Sequence, residues 1–164
     1  MKDRTLCFPI RGNPIREVLL GFKKAGFGAG KHAGFGGKVE AGETVAAAAV
    51  RELEEEAGIR ASEGRLQYMA HLTFRFPAQP SWNQVVHAFL VDAWDGDPVE
   101  SAEMQPAWFA VGDLPFERMW QDNAHWLPRI LAKERVQAVF TFKDDNETIG
   151  HMRMEAWDGT IQEG

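Results

Sequence analysis

Four glutamates crowd one short stretch of this sequence: Glu52, Glu54, Glu55 and Glu56 in RELEEEAGI, residues 51–59. The whole chain already carries a formal net charge of −6. Like charges at i,i+3 and i,i+4 destabilise a helix by roughly 0.2–0.5 kcal/mol per pair, so something must offset the repulsion. Glu52, Glu55 and Glu56 have that spacing and share one helix face, from which three carboxylates can hold hard divalent cations through oxygen. Arg51 is an i,i+4 neighbour of Glu55, and Glu43 stands at the start of the same segment. Taken alone, such a run reads first as a solvated acidic face. The segment just ahead, Gly34-Phe35-Gly36-Gly37, shifts the balance, because its glycines let backbone amides or carbonyls approach a ligand closely.

The elements that must position these groups follow from pattern. Residues 44–57 predict a helix, rich in alanine and stopped by Gly58. On a helical wheel Ala46, Val50, Leu53 and Ala57 form the buried stripe. The glutamates fall on a different face, which Ala48 leaves open. Strands are expected at 6–10, 18–22, 66–76, 85–91 and 107–111, with Leu72, Phe74 and Phe76 alternating on one face. Residues 23–33 read as Gly-rich loop and 77–81 as a turn. Residues 123–133 have helical character, and 139–154 read as two strands about a polar turn. This mixture predicts an α/β class, with helices packed on a mixed sheet.

Composition narrows the function classes. At 164 residues, 45% of them hydrophobic, one domain (1–164) can bury a core without disulfides or structural metal. The single cysteine, Cys7, cannot form an intrachain disulfide, and His32, His71, His87, His125 and His151 are too scattered for zinc. With no leader and no apolar run long enough to span a bilayer, the expectation is a cytoplasmic protein without a membrane partner. The negative charge argues against binding a nucleic-acid polymer, though a small polyanion remains compatible if divalent cations lie between the partners. Neither a P-loop nor a G-x-G-x-x-G is present. The Asp144-Asp145-Asn146 run has Ile149 where a calcium loop needs glycine, so a hairpin turn is expected there.

The spacing Gly37, Glu43, Arg51, Glu52, Leu53, Glu55, Glu56, Gly58, Ile59 matches, without departure, the Nudix signature G-x5-E-x7-R-E-U-x-E-E-x-G-U. The chain therefore resembles the Nudix hydrolases. The resemblance implies an α/β/α sandwich, a mixed β-sheet packed between helices, and metal-dependent cleavage of a nucleoside diphosphate linked to another moiety. It implies magnesium, with manganese able to substitute, held by Glu52, Glu55 and Glu56 with the Gly36 carbonyl. Arg51 would orient the carboxylates and Glu43 would tether Arg51. Over nearly the whole chain the likeness is closest to the MutT-homologue subfamily, which removes oxidised purine nucleoside triphosphates such as 8-oxo-dGTP. It rests on LLGFKKAGFGAG (19–30), PVESAEMQPAWF (98–109), LPFERMWQDN (114–123) and the terminal hairpin.

By that resemblance Glu103 completes the metal and water site. Phe27, Phe74 and Trp120 pack around the base, Asp122 and Asn123 face its polar edge, and Lys23 stands near the phosphates. Trp82, Trp94, Trp108, Trp126 and Trp157 are read as packing; Met104, beside Glu103, could contact the base, though Met is usually gap filler. Three departures bear on substrate choice: Ala33 replaces an Asn that bonds the purine, Asn123 replaces the second of two aspartates, and Phe8-Pro9 replaces smaller pocket-lining residues. An ionised Asp122 accepts from guanine N1–H and N2–H2, while Asn123 donates to O6. Guanine nucleotides are thus expected to outrank 2-oxo-adenine, and the loss of Asn at 33 to weaken discrimination between oxidised and normal guanine. The expected reaction is attack of a metal-activated water on a phosphoryl group, releasing pyrophosphate, with Glu103 or a box glutamate as base. The alternatives are another nucleotide substrate, such as a normal or methylated purine triphosphate or a nucleotide sugar, or a non-catalytic nucleotide-binding module. A self-contained pocket fits a monomer.

Overall fold

Side chains alternate across a strand, so each strand of a sheet covered on both sides feeds two cores. In the computed structural model, which describes residues 1–160, that alternation builds the molecule. The last four residues of the expected 1–164 domain lie outside the described residues. The strands are β1 (Lys2–Arg11), β2 (Glu17–Lys23), β3 (His32–Ala33), β4 (Leu66–Arg75), β5 (Gln84–Val91), β6 (Met104–Ala110), β7 (Val136–Phe142) and β8 (Ile149–Ala156). Two helices, α1 (Val45–Ala57) and α2 (Asn123–Leu131), interrupt them. The strand order is β3-β2-β1-β5-β4-β7-β8, with β6 paired to β2. Two pairs, β1–β5 and β4–β7, are parallel, and the remaining pairs are antiparallel.

On one face Cys7, Leu19, Phe89 and Val91 meet Ala49, Leu53 and Ala57 of α1. On the other, Phe8, Val18, Leu20, Ala88 and Leu90 meet Trp126, Leu127 and Ile130 of α2. The result is the expected mixed sheet between helices. The residue alternation at 72, 74 and 76 also holds, since all three side chains are buried in the α2-side core. Most strands extend a few residues beyond their predicted ends. The 23–33 loop closes into β3, the 77–81 turn continues into a short 3-10 turn at Pro80–Trp82, and α2 stops at Leu131 rather than at 133.

The stripe expected on α1 needs correction. Ala46 and Val50 are only half-buried, whereas Ala48 and Glu56 are buried. The side predicted to be open is covered at Ala48 and Glu56, where residues 35–38 run antiparallel along β1, bridging Cys7 to Phe35 and Arg4 to Lys38. This covering segment reaches the helix through a bond from the Gly36 amide to Glu56. The 144–146 segment is a hairpin turn as expected, with Asn146 at φ 58 and the Asp145 carboxylate accepting from the Glu147 and Thr148 amides.

Candidate active site

Thr44 caps α1, its hydroxyl accepting from the Ala47 amide, and Gly58 ends it at φ 72. Between these ends the helix presents its glutamates to a cleft lined by Glu52, Glu55, Glu56 and Glu103, with Gly36, Gly37, Arg4 and Lys23 on the opposing walls. Glu103 comes from a tight turn ahead of β6, in which Ser101 Oγ accepts from the Met104 amide at 3.1 Å and the Ser101 amide donates to the Met104 carbonyl. The Glu103 carbonyl also accepts from Lys24 N, so its backbone is fixed on both sides.

Arg51 organises the carboxylates. Its Nε and Nη2 donate to the two oxygens of Glu43 at 2.7 and 2.9 Å. Its Nη1 reaches Glu52 at 2.8 Å and Glu55 at 3.3 Å, and Nη2 also donates to the Lys38 carbonyl. The guanidinium holds Glu43, with help from the Glu40 amide, down at about 2. Its own pKa rises under the bonds to Glu43 and Glu52. Glu56 behaves differently. Burial pushes its carboxyl up to about 7; Glu52 and Glu103 reinforce the rise, while the Gly36 amide and Lys23 oppose it.

The glycines ahead of the helix are required by contact. A Cβ at Gly36 would collide with the Thr5 carbonyl, and one at Gly37 would fall 2.6 Å from Glu52 Oε1. Pairing to β1 uses the Phe35 and Gly37 carbonyls, which accept from Cys7 N and Thr5 N. Strand alternation therefore turns the Gly36 carbonyl away from β1. Together the glutamates and this carbonyl form an all-oxygen donor set, the kind that suits magnesium or manganese rather than a thiophilic metal. The excess negative charge in the cleft fits a divalent cation, although among the described residues no three acidic, histidine or cysteine side chains already close into a cage.

Beside the cleft lies an apolar pocket, floored by Leu6, Phe74, Val86 and Phe142 and covered by Phe27 and Trp120. Phe27 stacks on Trp120 with centroids 5.3 Å apart. All six residues expected at the substrate, Lys23, Phe27, Phe74, Trp120, Asp122 and Asn123, line it. Asp122 and Asn123 reach it from the start of α2. One Asp122 oxygen is already engaged by Trp126 Nε1 at 2.7 Å, and the Asn123 amide donates to the Trp120 carbonyl. Burial raises the Asp122 carboxyl to about 6, against the opposing bond from Trp126. Trp126, read as packing alone, thus also fixes Asp122.

Phe8 and Pro9 do not line the pocket. Phe8 lies deeper, packed against Trp126 and under Gly34, while Thr5 and Leu6 of the same strand take the lining positions. Met104 does line it. The sequence reading missed Arg4, which borders both cavities, and Gln84. No local pattern marks either residue, because strand register across β1, β5 and β4 brings them there. Cys7 is buried and its thiol is pushed up to about 12 by that burial. His87, also buried, bonds Asp3 and Tyr68 on the far side of the sheet. Among the described residues no helix is long and apolar enough to cross a membrane.

The NUDIX domain family matches residues 2–130. The chain is 41% identical to the oxidized purine nucleoside triphosphate hydrolase of Mus musculus, over 85% of this chain and 88% of that one. To the protein of the same description from Danio rerio it is 43% identical, over 87% and 89%. Among solved structures, the MutT protein of Bacillus halodurans superposes with a TM-score of 0.77 at 21% identity, covering 94% of this chain and 98% of the other. That likeness speaks to the fold. The MutT NUDIX hydrolase of Burkholderia pseudomallei gives 0.64 at 26% identity, covering 80% and 95%.

Proposed function

The chain belongs to the NUDIX domain family, and on that premise we propose that it hydrolyses oxidised purine nucleoside triphosphates, 8-oxo-dGTP foremost, to the monophosphate and pyrophosphate. Residues 1–164 act as one domain and as a monomer. The observation that carries the reading is the contiguity of the two cavities. Arg4, Lys23, Gly36 and Gly37 wall both the aromatic pocket and the glutamate cleft. A flat base between the Phe27–Trp120 stack and Phe74 therefore extends its triphosphate past Arg4 and Lys23 into the carboxylates.

Glu52, Glu55, Glu56, Glu103 and the Gly36 carbonyl would hold magnesium, which would supply charge neutralisation and a water of lowered pKa. The chain's own residues do the rest. Arg51, anchored by Glu43, keeps Glu52 and Glu55 at the cleft. Lys23 and Arg4 draw the phosphates in, and Asp122 with Asn123 reads the Watson–Crick edge. Glu103 or a box glutamate takes the proton of the attacking water. The family relatives described as oxidised purine nucleoside triphosphate hydrolases support the substrate class. Magnesium-dependent pyrophosphate release from 8-oxo-dGTP, measured beside equal dGTP and a Glu56→Gln control, tests the reading. Preference for the oxidised base, with activity lost by about 10²–10⁴-fold in the control, is expected. Glu56-dependent turnover indifferent to oxidation would discard the substrate and keep the chemistry.

A further inference from the structure

The base pocket contains a polar group that the reading above leaves unused. Gln84 opens β5, opposite Phe74 of β4 and Lys2 of β1. It is only 7% exposed, it lines the pocket with Phe74 and Val86, and its carboxamide oxygen Oε1 has no hydrogen-bond partner. The residues that follow it on the same face of β5, Val86, Ala88 and Leu90, are apolar. A side chain serving only to fill space would be apolar too, because an unpaired buried amide oxygen is costly. An orphaned acceptor in a ligand pocket is completed by a donor on the ligand.

The chemistry of purines says which donor. Resting on the purine triphosphate reading, Asp122 and Asn123 take the Watson–Crick edge. The opposite edge of ordinary guanine offers the N7 lone pair and a C8–H, with no N–H to give. In 8-oxo-guanine that edge carries an N7–H donor and an O8 acceptor. A carboxamide is complementary to both, accepting through Oε1 and donating through Nε2. We infer that Gln84 is a specificity-determining residue that reads the oxidised edge of the base, with Oε1 accepting from N7–H and Nε2 donating to O8. Ordinary guanine sets its N7 lone pair against Oε1. Rotating the amide gives N7 one bond from Nε2 but leaves Oε1 facing C8–H. The discrimination expected to be lost with Ala33 is restored from another strand.

Calorimetric binding of 8-oxo-dGMP and dGMP to the wild type, Gln84→Met and Gln84→Leu tests this without relying on turnover, and kcat/KM for the two triphosphates accompanies it. The wild type should prefer the oxidised monophosphate. Both variants should bind 8-oxo-dGMP about 5- to 100-fold more weakly while dGMP affinity stays within about threefold, so the preference collapses. Two apolar replacements of different shape separate lost hydrogen bonding from altered packing. Preference retained in both variants overturns the inference and leaves the proposed function standing. A wild type that hydrolyses 8-oxo-dGTP yet binds the two monophosphates equally overturns the inference alone, and one that neither hydrolyses 8-oxo-dGTP nor prefers the oxidised monophosphate overturns both.

Discussion

Arg51 makes more bonds in the cleft than any one glutamate could replace, touching Glu43, Glu52, Glu55 and the Lys38 carbonyl. Lysine offers a point charge and cannot grip Glu43 with two nitrogens. Arg51→Lys is expected to weaken apparent magnesium affinity by about 10–100-fold and lower Tm by about 2–4 °C, read by metal titration and calorimetry. A reverse ordering, with Tm collapsing and metal affinity intact, would make Arg51 structural only. Asp122 gives a prediction in pH. Its folded-state carboxyl is raised to about 6 from an ordinary 3.8, so the folded protein holds this proton more tightly than the unfolded chain. That group therefore adds stability as pH falls through 6 and the addition is complete below 3.8. Asp122→Asn removes it. Wild-type stability minus variant stability should therefore rise from pH 7 to pH 4; a constant difference in urea titrations would contradict the assignment.

The segment 35–38 acts as an extra strand on β1 because glycine permits the approach. Gly36→Ala places a methyl against the Thr5 carbonyl, and neither backbone can yield without breaking the Cys7–Phe35 pairing. A loss of at least about 2 kcal/mol is expected, against less than about 0.5 kcal/mol for Gly112→Ala, where nothing lies within 4 Å. Equal losses in chemical denaturation would show that the contact is relieved elsewhere. This element also marks where sequence reading stops. Helix α1 was legible from its alanines and Gly58, which are both local signals, whereas its Thr44 cap emerged only in the structure. The burial of Glu56 was not, because what covers it is a loop held by a strand some thirty residues earlier. Trp126 looked like core for the same reason: its indole bond to Asp122 adds nothing to hydrophobic periodicity. Gln84 had no motif at all, and its place depends on the register of three strands.

A cation that binds only the folded cleft must stabilise the entire fold. At a hundred times its Kd, magnesium is expected to add about 2.7 kcal/mol, or about 5–10 °C in Tm for a chain of this size. The Glu56→Gln protein should show a much smaller shift on the same titration, while its metal-free Tm equals or exceeds that of the wild type because a buried charge is gone. A shift of equal size in both proteins would place the cation elsewhere. The parallel pairing of β1 with β5 has a separate consequence, for how the chain is made. β1 has eight register partners in residues Gln84–Val91 but only two in β2. During synthesis β1 must therefore wait until residues 84–91 have left the ribosome before its main partner exists. Contacts this distant in sequence slow folding, and they leave the nascent β1, with its run Leu6–Ile10, exposed to chaperones for as long as translation of that interval takes.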